Sequence, residues 1–244
     1  METTLNWTEV GTIINASAFT AVDVAETEEG RRTAWAANVT GVARLCRIAA
    51  EHRITLVHVS SDYVFDGTAE EHDEDEPLAP LGVYAQTKAA SDVLVGQLAQ
   101  HYIVRTSWVI GAGRNFVRTM AELAAKGVSP TVVADQYGRL TFTEDLAAGI
   151  LHLLGTAAPH GTYNLSNTGP VQSWADIAGD VFELCGRSRD DVTPISTEEY
   201  ATGKLVSPRP VHSALRLDKL IATGFTPPSA AERLATYLAG TDRN

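Results

Sequence analysis

Two short apolar runs, Thr12-Ile13-Ile14-Asn15-Ala16 and Ile54-Thr55-Leu56-Val57-His58-Val59, flank a stretch from Arg31 to His52 in which Val39, Val42, Cys46 and Ala49 recur at near-helical spacing. Strand, helix and strand of these lengths form a βαβ unit, and such a unit commits its strands to a parallel sheet covered by helices. The pattern repeats downstream. Tyr84 to Gln100 reads as helix, Tyr102 to Val109 as strand and Phe116 to Lys126 as helix.

After Pro130 the texture changes. Thr131-Val132-Val133 reads as a short strand, Glu144 to Leu154 as helix and Thr162 to Leu165 as strand. Ser173 to Cys185 is expected to be a helix stopped by Gly186, and Leu217–Ala222 and Ala230–Leu238 to be closing helices. Residues 1–130 are therefore expected to form the sheet-bearing, cofactor-side domain. Residues 131–244 are expected to form mainly a smaller α+β substrate lobe, some of whose segments return to the sheet. The acidic stretch Glu70 to Glu76, bounded by Pro77 and Pro80, reads as a solvated loop.

Composition narrows the function classes. A net charge of −11 argues against a nucleic-acid partner, because binding a phosphate backbone draws on clustered Lys and Arg. No apolar run is long enough to span a bilayer, and Met1 to Glu9 has no leader-like pattern, so a cytoplasmic protein is expected. Cys46 and Cys185 lie far apart in helix-like patterns and read as two reduced core thiols. No metal-ligand cluster stands out.

The chemistry is expected where the second strand ends. Ser60-Ser61-Asp62-Tyr63-Val64-Phe65-Asp66-Gly67 closes that strand, and Tyr84-Ala85-Gln86-Thr87-Lys88 opens the following helix. Residues four apart share one helix face, so Tyr84 and Lys88 point into one cleft. A tyrosine titrates near pH 10, and a nearby ammonium is expected to bring it toward the working range. Ser61 at the strand end can donate a hydrogen bond to a carbonyl in the same cleft. His58, inside the strand, reads as a packed histidine rather than a base.

These residues resemble the active site of the extended short-chain dehydrogenase/reductases, and in particular the dTDP-4-dehydrorhamnose reductase family. Ser61-Asp62-Tyr63-Val64-Phe65-Asp66-Gly67 is the most specific piece. Ile14 to Asp23, Asn38-Val39-Thr40-Gly41, Arg105-Thr106-Ser107-Trp108, Asp135-Gln136 and Arg209-Pro210 continue the pattern in order. The resemblance implies an α/β, Rossmann-like doubly wound parallel sheet and reduction of a dTDP-4-keto sugar, dTDP-4-dehydro-L-rhamnose to dTDP-L-rhamnose, with NADPH or NADH. It implies Ser61, Tyr84 and Lys88 as catalytic. Ala18, Phe19, Thr20 and Val59, with Tyr84 and Lys88, would meet the cofactor. Ser61, Asp62 and Trp108 would meet the sugar.

The sequence departs from that family in two places. Tyr137-Gly138-Arg139-Leu140-Thr141 stands where Gly-Ser-Pro-Thr is usual. Before Asn15 the only glycine is Gly11, so the Gly-x-x-Gly-x-x-Gly turn that would hold a pyrophosphate is absent. Gly111-Ala112-Gly113 fits a later loop instead. The expectation is an N-terminally truncated reductase with weakened dinucleotide affinity and an exposed sheet edge, existing as a homodimer or beside a chain that supplies the missing unit. The alternative is a non-catalytic regulatory or binding subunit; one regulatory subunit of methionine adenosyltransferase shares the Asp-Tyr-Val-Phe-Asp-Gly segment.

Overall fold

The computed structural model describes residues 5–241; Met1–Thr4, part of the stretch read for a leader, and residues 242–244 lie outside them. The first elements are β1 (Thr12–Asn15), α1 (Glu28–Trp35), α2 (Val42–His52), β2 (Thr55–Ser61), β3 (Glu71–His72), α3 (Val83–Val95) and β4 (His101–Thr106). Next come β5 (Val109–Ile110), α4 (Phe116–Ala125), β6 (Thr131–Val133), β7 (Tyr137–Gly138), β8 (Thr141–Phe142), α5 (Thr143–Gly155) and β9 (Gly161–Asn164). The chain closes with β10 (Gln172–Ser173), α6 (Trp174–Leu184), β11 (Thr193–Ile195), α7 (Thr197–Ala201), β12 (Ala214–Leu215), α8 (Asp218–Ile221) and α9 (Ala230–Thr241).

The parallel sheet expected from the βαβ pattern is present, in the order β1-β2-β4-β9. Its strands are apolar on both faces because helices cover both. On one side Leu56 and Ile103 pack with Val42, Ala49 and Val95 of α2 and α3. On the other, Val57, Tyr102 and Val104 pack with Leu146, Ile150 and Leu153 of α5. β1 pairs only with β2 among the described residues, and Ile14 on it is 48% exposed. A separate core joins α4, α6 and α9 through Val117, Met120, Val181, Phe182 and Leu234. It is stitched by two-stranded pairs, β6 with β11 and β7 with β10.

Four expectations change. The helix read over Arg31–His52 is two α-helices joined by a π-helical segment, Ala36–Gly41, where an extra residue per turn re-aims Asn38. The strand read over Tyr102–Val109 breaks at Trp108, whose φ is +43°, and resumes as β5, which pairs with β8. The acidic stretch is a solvated loop only in part, with Glu70, Asp73 and Asp75 exposed. Glu71-His72 is β3, paired with β12; His72 is buried against Phe65 and pairs with the Glu76 carboxylate, while Glu71 binds Arg139. Of the two thiols, Cys46 is half-buried but Cys185 is exposed, at the end of α6 rather than in its packed face. Gly186 does adopt the left-handed conformation that stops α6, with φ +76°.

Candidate active site

Ser61 ends β2 opposite Thr106 of β4, at the carboxyl edge where parallel sheets present side chains to ligands. Its hydroxyl donates to Asp62 Oδ1 at 2.9 Å and accepts from the Tyr63 amide at 3.2 Å. Asp62 is buried and its Oδ2 has no hydrogen-bond partner among the described residues. Burial pushes its carboxyl up to about 6, against the neighbouring Ser213 and Ser61 hydroxyls, which favour the anion.

Helix α3 brings Tyr84 and Lys88 to the same place, and its start is built for that. Glu26 accepts from the Val83 amide at 2.9 Å and from Ser207 Oγ at 2.7 Å, a carboxylate at a helix N-terminus. Gly82 leaves room for it, because a Cβ there would overlap Ser207 Oγ and stand 2.8 Å from Glu26 Oε1. Burial, reinforced by Asp62 and Asp92 and opposed by the nearby Ser61 hydroxyl, pushes the Tyr84 phenol up to about 12. The expectation that Lys88 would draw this pKa down is not met. The Lys88 ammonium is turned instead to the Val59 carbonyl, at 2.8 Å, and stands 3.3 Å from His58 Nε2. Burial lowers Lys88 to about 8, only partly countered by Asp92.

His58 is the packed histidine expected, and its partners fix its tautomer. Asn15 Oδ1 accepts from the Ser17 amide and hydroxyl, so its Nδ2 donates to His58 Nδ1 at 3.0 Å. Ser91 Oγ spends its proton on the Lys88 carbonyl at 2.7 Å. It therefore accepts from His58 Nε2–H at 3.0 Å. Burial, then the Lys88 charge, depresses His58 to about 3.

The residues expected to line the cofactor gather at the end of β1. Asn38, buried in the π segment, accepts from the Phe19 amide at 2.8 Å and donates to the Phe19 carbonyl at 3.1 Å and to Thr87 Oγ1 at 2.9 Å. That clamp fixes the loop holding Ala18, Phe19 and Thr20 against α3, and Phe19 packs with Tyr84 around Ala25, Ala34 and Val83. Ala18 and Thr20 are exposed. Sequence reasoning assigned no role to Asn38, Glu26 or Trp174, although Asn38-Val39-Thr40-Gly41 and Ala25-Glu26 both continue the family pattern.

Beyond Ser61 a cavity of about 470 Å³ opens, lined by Tyr63, Phe116, Val132, Gln136, Trp174 and Arg209 among others. Tyr63 meets Tyr84 edge-on, with ring centroids 6.0 Å apart, so the cavity adjoins the tyrosine cleft. Arg209 pairs with Asp23 at 2.8 Å and faces the Tyr63 phenol. Trp108 stacks on Trp174, with centroids 3.7 Å apart and planes 16° apart. Among the described residues no cluster is arranged to hold a metal ion, and no helix is long and apolar enough to cross a membrane.

A Rossmann-like parallel sheet with Ser61, Tyr84 and Lys88 at its carboxyl edge defines an extended short-chain dehydrogenase/reductase. Residues 1–242 match the RmlD substrate binding domain family. The chain is 37% identical to a probable dTDP-4,6-dihydroxy-2-methyloxan-3-one 4-ketoreductase of Streptomyces antibioticus, over 89% of this chain and 73% of that protein. It is 35% identical to the dTDP-4-dehydrorhamnose reductase of Mycobacterium tuberculosis, over 88% of this chain and 71% of that protein. A dTDP-4-dehydrorhamnose reductase from Bacillus anthracis, solved in complex with NADP, superposes with a TM-score of 0.85 at 36% identity, covering 94% of this chain and 80% of that one. The chain belongs to the RmlD family, that of the dTDP-4-dehydrorhamnose reductases.

Proposed function

We propose that the chain carries out NADPH-dependent reduction of the 4-ketone of a dTDP-sugar, dTDP-4-dehydro-L-rhamnose being the substrate that fits the family best. The observation that carries this reading is the placement of Ser61 at the end of β2 beside the α3 face that carries Tyr84 and Lys88, with the Tyr84 phenol kept protonated by burial. Ser61 has one hydroxyl proton, which it donates to Asp62. A ketone oxygen docked between Ser61 and Tyr84 competes for that proton, and a sugar hydroxyl beside it can satisfy the Asp62 carboxylate in exchange. Tyr84, neutral at physiological pH, then donates its proton to the oxygen as negative charge develops there.

The chain fits the nicotinamide-riboside end of the cofactor. Lys88 is a buried ammonium with three donors, of which Val59 O takes one, an arrangement suited to a ribose diol. Val59 lies beside it, and Asn38 ties Phe19 of the Ala18–Thr20 loop to Thr87, the residue before it on α3. The bound nicotinamide would supply the hydride. For the diphosphate end, the described residues offer no glycine turn beside β1. The 470 Å³ cavity suits the nucleotide of the substrate, with aromatic walls for a base and Arg209 for phosphate. On this reading residues 1–130 serve the cofactor side and residues 131–244 mainly the substrate, and the protein works in the cytoplasm.

The test is oxidation of NADPH by dTDP-4-dehydro-L-rhamnose, with Tyr84→Phe beside the unaltered protein. Loss of the proton donor should cut turnover about a hundredfold or more, with a far smaller change in KM. Turnover within a few-fold of the parent would sink the role of Tyr84. No turnover by the unaltered protein, with dTDP still bound, would leave a binding module instead.

A further inference from the structure

Trp108 sits two residues beyond β4, at the same edge of the sheet as Ser61, in a left-handed backbone conformation that is costly for a bulky side chain. Such a conformation persists only where the surroundings hold it, and two neighbours do. Trp174 stacks on the indole. Gly138 touches it too: a Cβ at that position would stand 2.9 Å from Cε2 and Cζ2 of Trp108. These neighbours are not independent. Gly138 ends β7, and Trp174 follows β10, which pairs antiparallel with β7 through Gln172–Gly138 and Ser173–Tyr137. Ser173 also caps α6 in a reciprocal pair with Asp176, fixing Trp174 at the first helical position. Phe116 leans on Trp174 from α4, with centroids 4.6 Å apart.

Trp174 thus has two neighbourhoods: it lines the cavity and it carries Trp108, which does not line it. We propose that Trp174, held with Gly138 on the β7–β10 ribbon, is a positioning residue that fixes Trp108 at the sugar end of the site and ties its placement to the nucleotide cavity. This rests on the reading of the cavity as the nucleotide site. The glycine at 138 is what lets the indole lie against the backbone.

Calorimetric titration with dTDP and with dTDP-L-rhamnose separates the two roles, because the ratio of their affinities isolates the sugar contribution. Trp108→Leu should leave dTDP affinity within about twofold and reduce the sugar contribution about three- to tenfold, the range of one aromatic contact. Trp174→Leu should weaken dTDP itself and also reduce the sugar contribution as far as Trp108→Leu does. The double variant should lose no more of it than either single one. Trp174→Phe, which keeps a stacking ring, should recover most of it, and Gly138→Ala should mimic Trp108→Leu. The near-ultraviolet circular dichroism couplet of the stacked indoles should vanish in both leucine variants, a readout that needs no ligand. Additive losses in the double variant, or a sugar contribution intact in Trp174→Leu, would overturn the inference while leaving the nucleotide reading standing. Failure of the unaltered protein to bind dTDP would overturn both.

Discussion

Replacing Lys88 by Met should make the protein no less stable at pH 7 while abolishing its activity. Lys88 is 1% exposed, and burial lowers it from 10.5 to about 8. That drop of about 2.5 units, at 1.36 kcal/mol per unit, means that holding the ammonium in the fold costs about 3 kcal/mol at pH 7. Methionine removes that cost but also removes the bond to Val59 O, which returns about 1.5–3 kcal/mol. The net change at pH 7 is therefore between zero and about 2 kcal/mol of stabilisation. The pH dependence is the sharper test. From about pH 8 to 10.5 the unfolded chain holds this proton and the folded one gives it up, so stability rises with pH across that window. The methionine variant lacks this rise, and its advantage should shrink by about 3 kcal/mol between pH 7 and pH 10.5. Urea unfolding at several pH values, followed by tryptophan fluorescence, measures the difference, and titrations elsewhere cancel in it. A difference constant with pH to within about 0.5 kcal/mol would show that burial does not perturb Lys88.

Two further outcomes follow from the supports of the site. Asn38→Ala removes three hydrogen bonds and strands the Phe19 amide; it should cost about 2–4 kcal/mol in urea unfolding, and a loss below about 1 kcal/mol would refute the clamp. Gly82→Ala should cost about 1–3 kcal/mol, because the new methyl must displace the Glu26–Ser207 pair at the start of α3, and its urea midpoint should fall unless that pair is dispensable.

What the sequence disclosed was local. Leu56, Val57 and Val59 announce a strand by themselves, and four-residue spacing puts Tyr84 and Lys88 on one face before any tertiary contact is known. The parallel arrangement followed from the lengths of the segments between strands. What stayed hidden depends on partners distant in the chain. Glu71-His72 becomes a strand only because Ala214-Leu215 lies alongside it. Trp174 acquires its role from Trp108, sixty-six positions away, and from a ribbon two residues long. The direction of the Tyr84 shift was misread for the same reason. Spacing placed the ammonium on the right face, whereas the Val59 carbonyl decides where it points.

The π segment between α1 and α2 makes the site sensitive to chain length where no substrate is touched. A regular α-helix turns 100° per residue. The π segment takes one residue more for about the same total rotation, so deleting one residue within 36–41 would let the helix run on as regular α with α2 kept close to its orientation relative to α1. Val42 and Ala49 of α2 would stay against the sheet, but the change of winding would take Asn38 off its aim at Phe19. A one-residue deletion in the π segment should therefore cost the Asn38 clamp and spare the fold, whereas the same deletion within α2 would turn the residues beyond it by about 100° and should be far more disruptive.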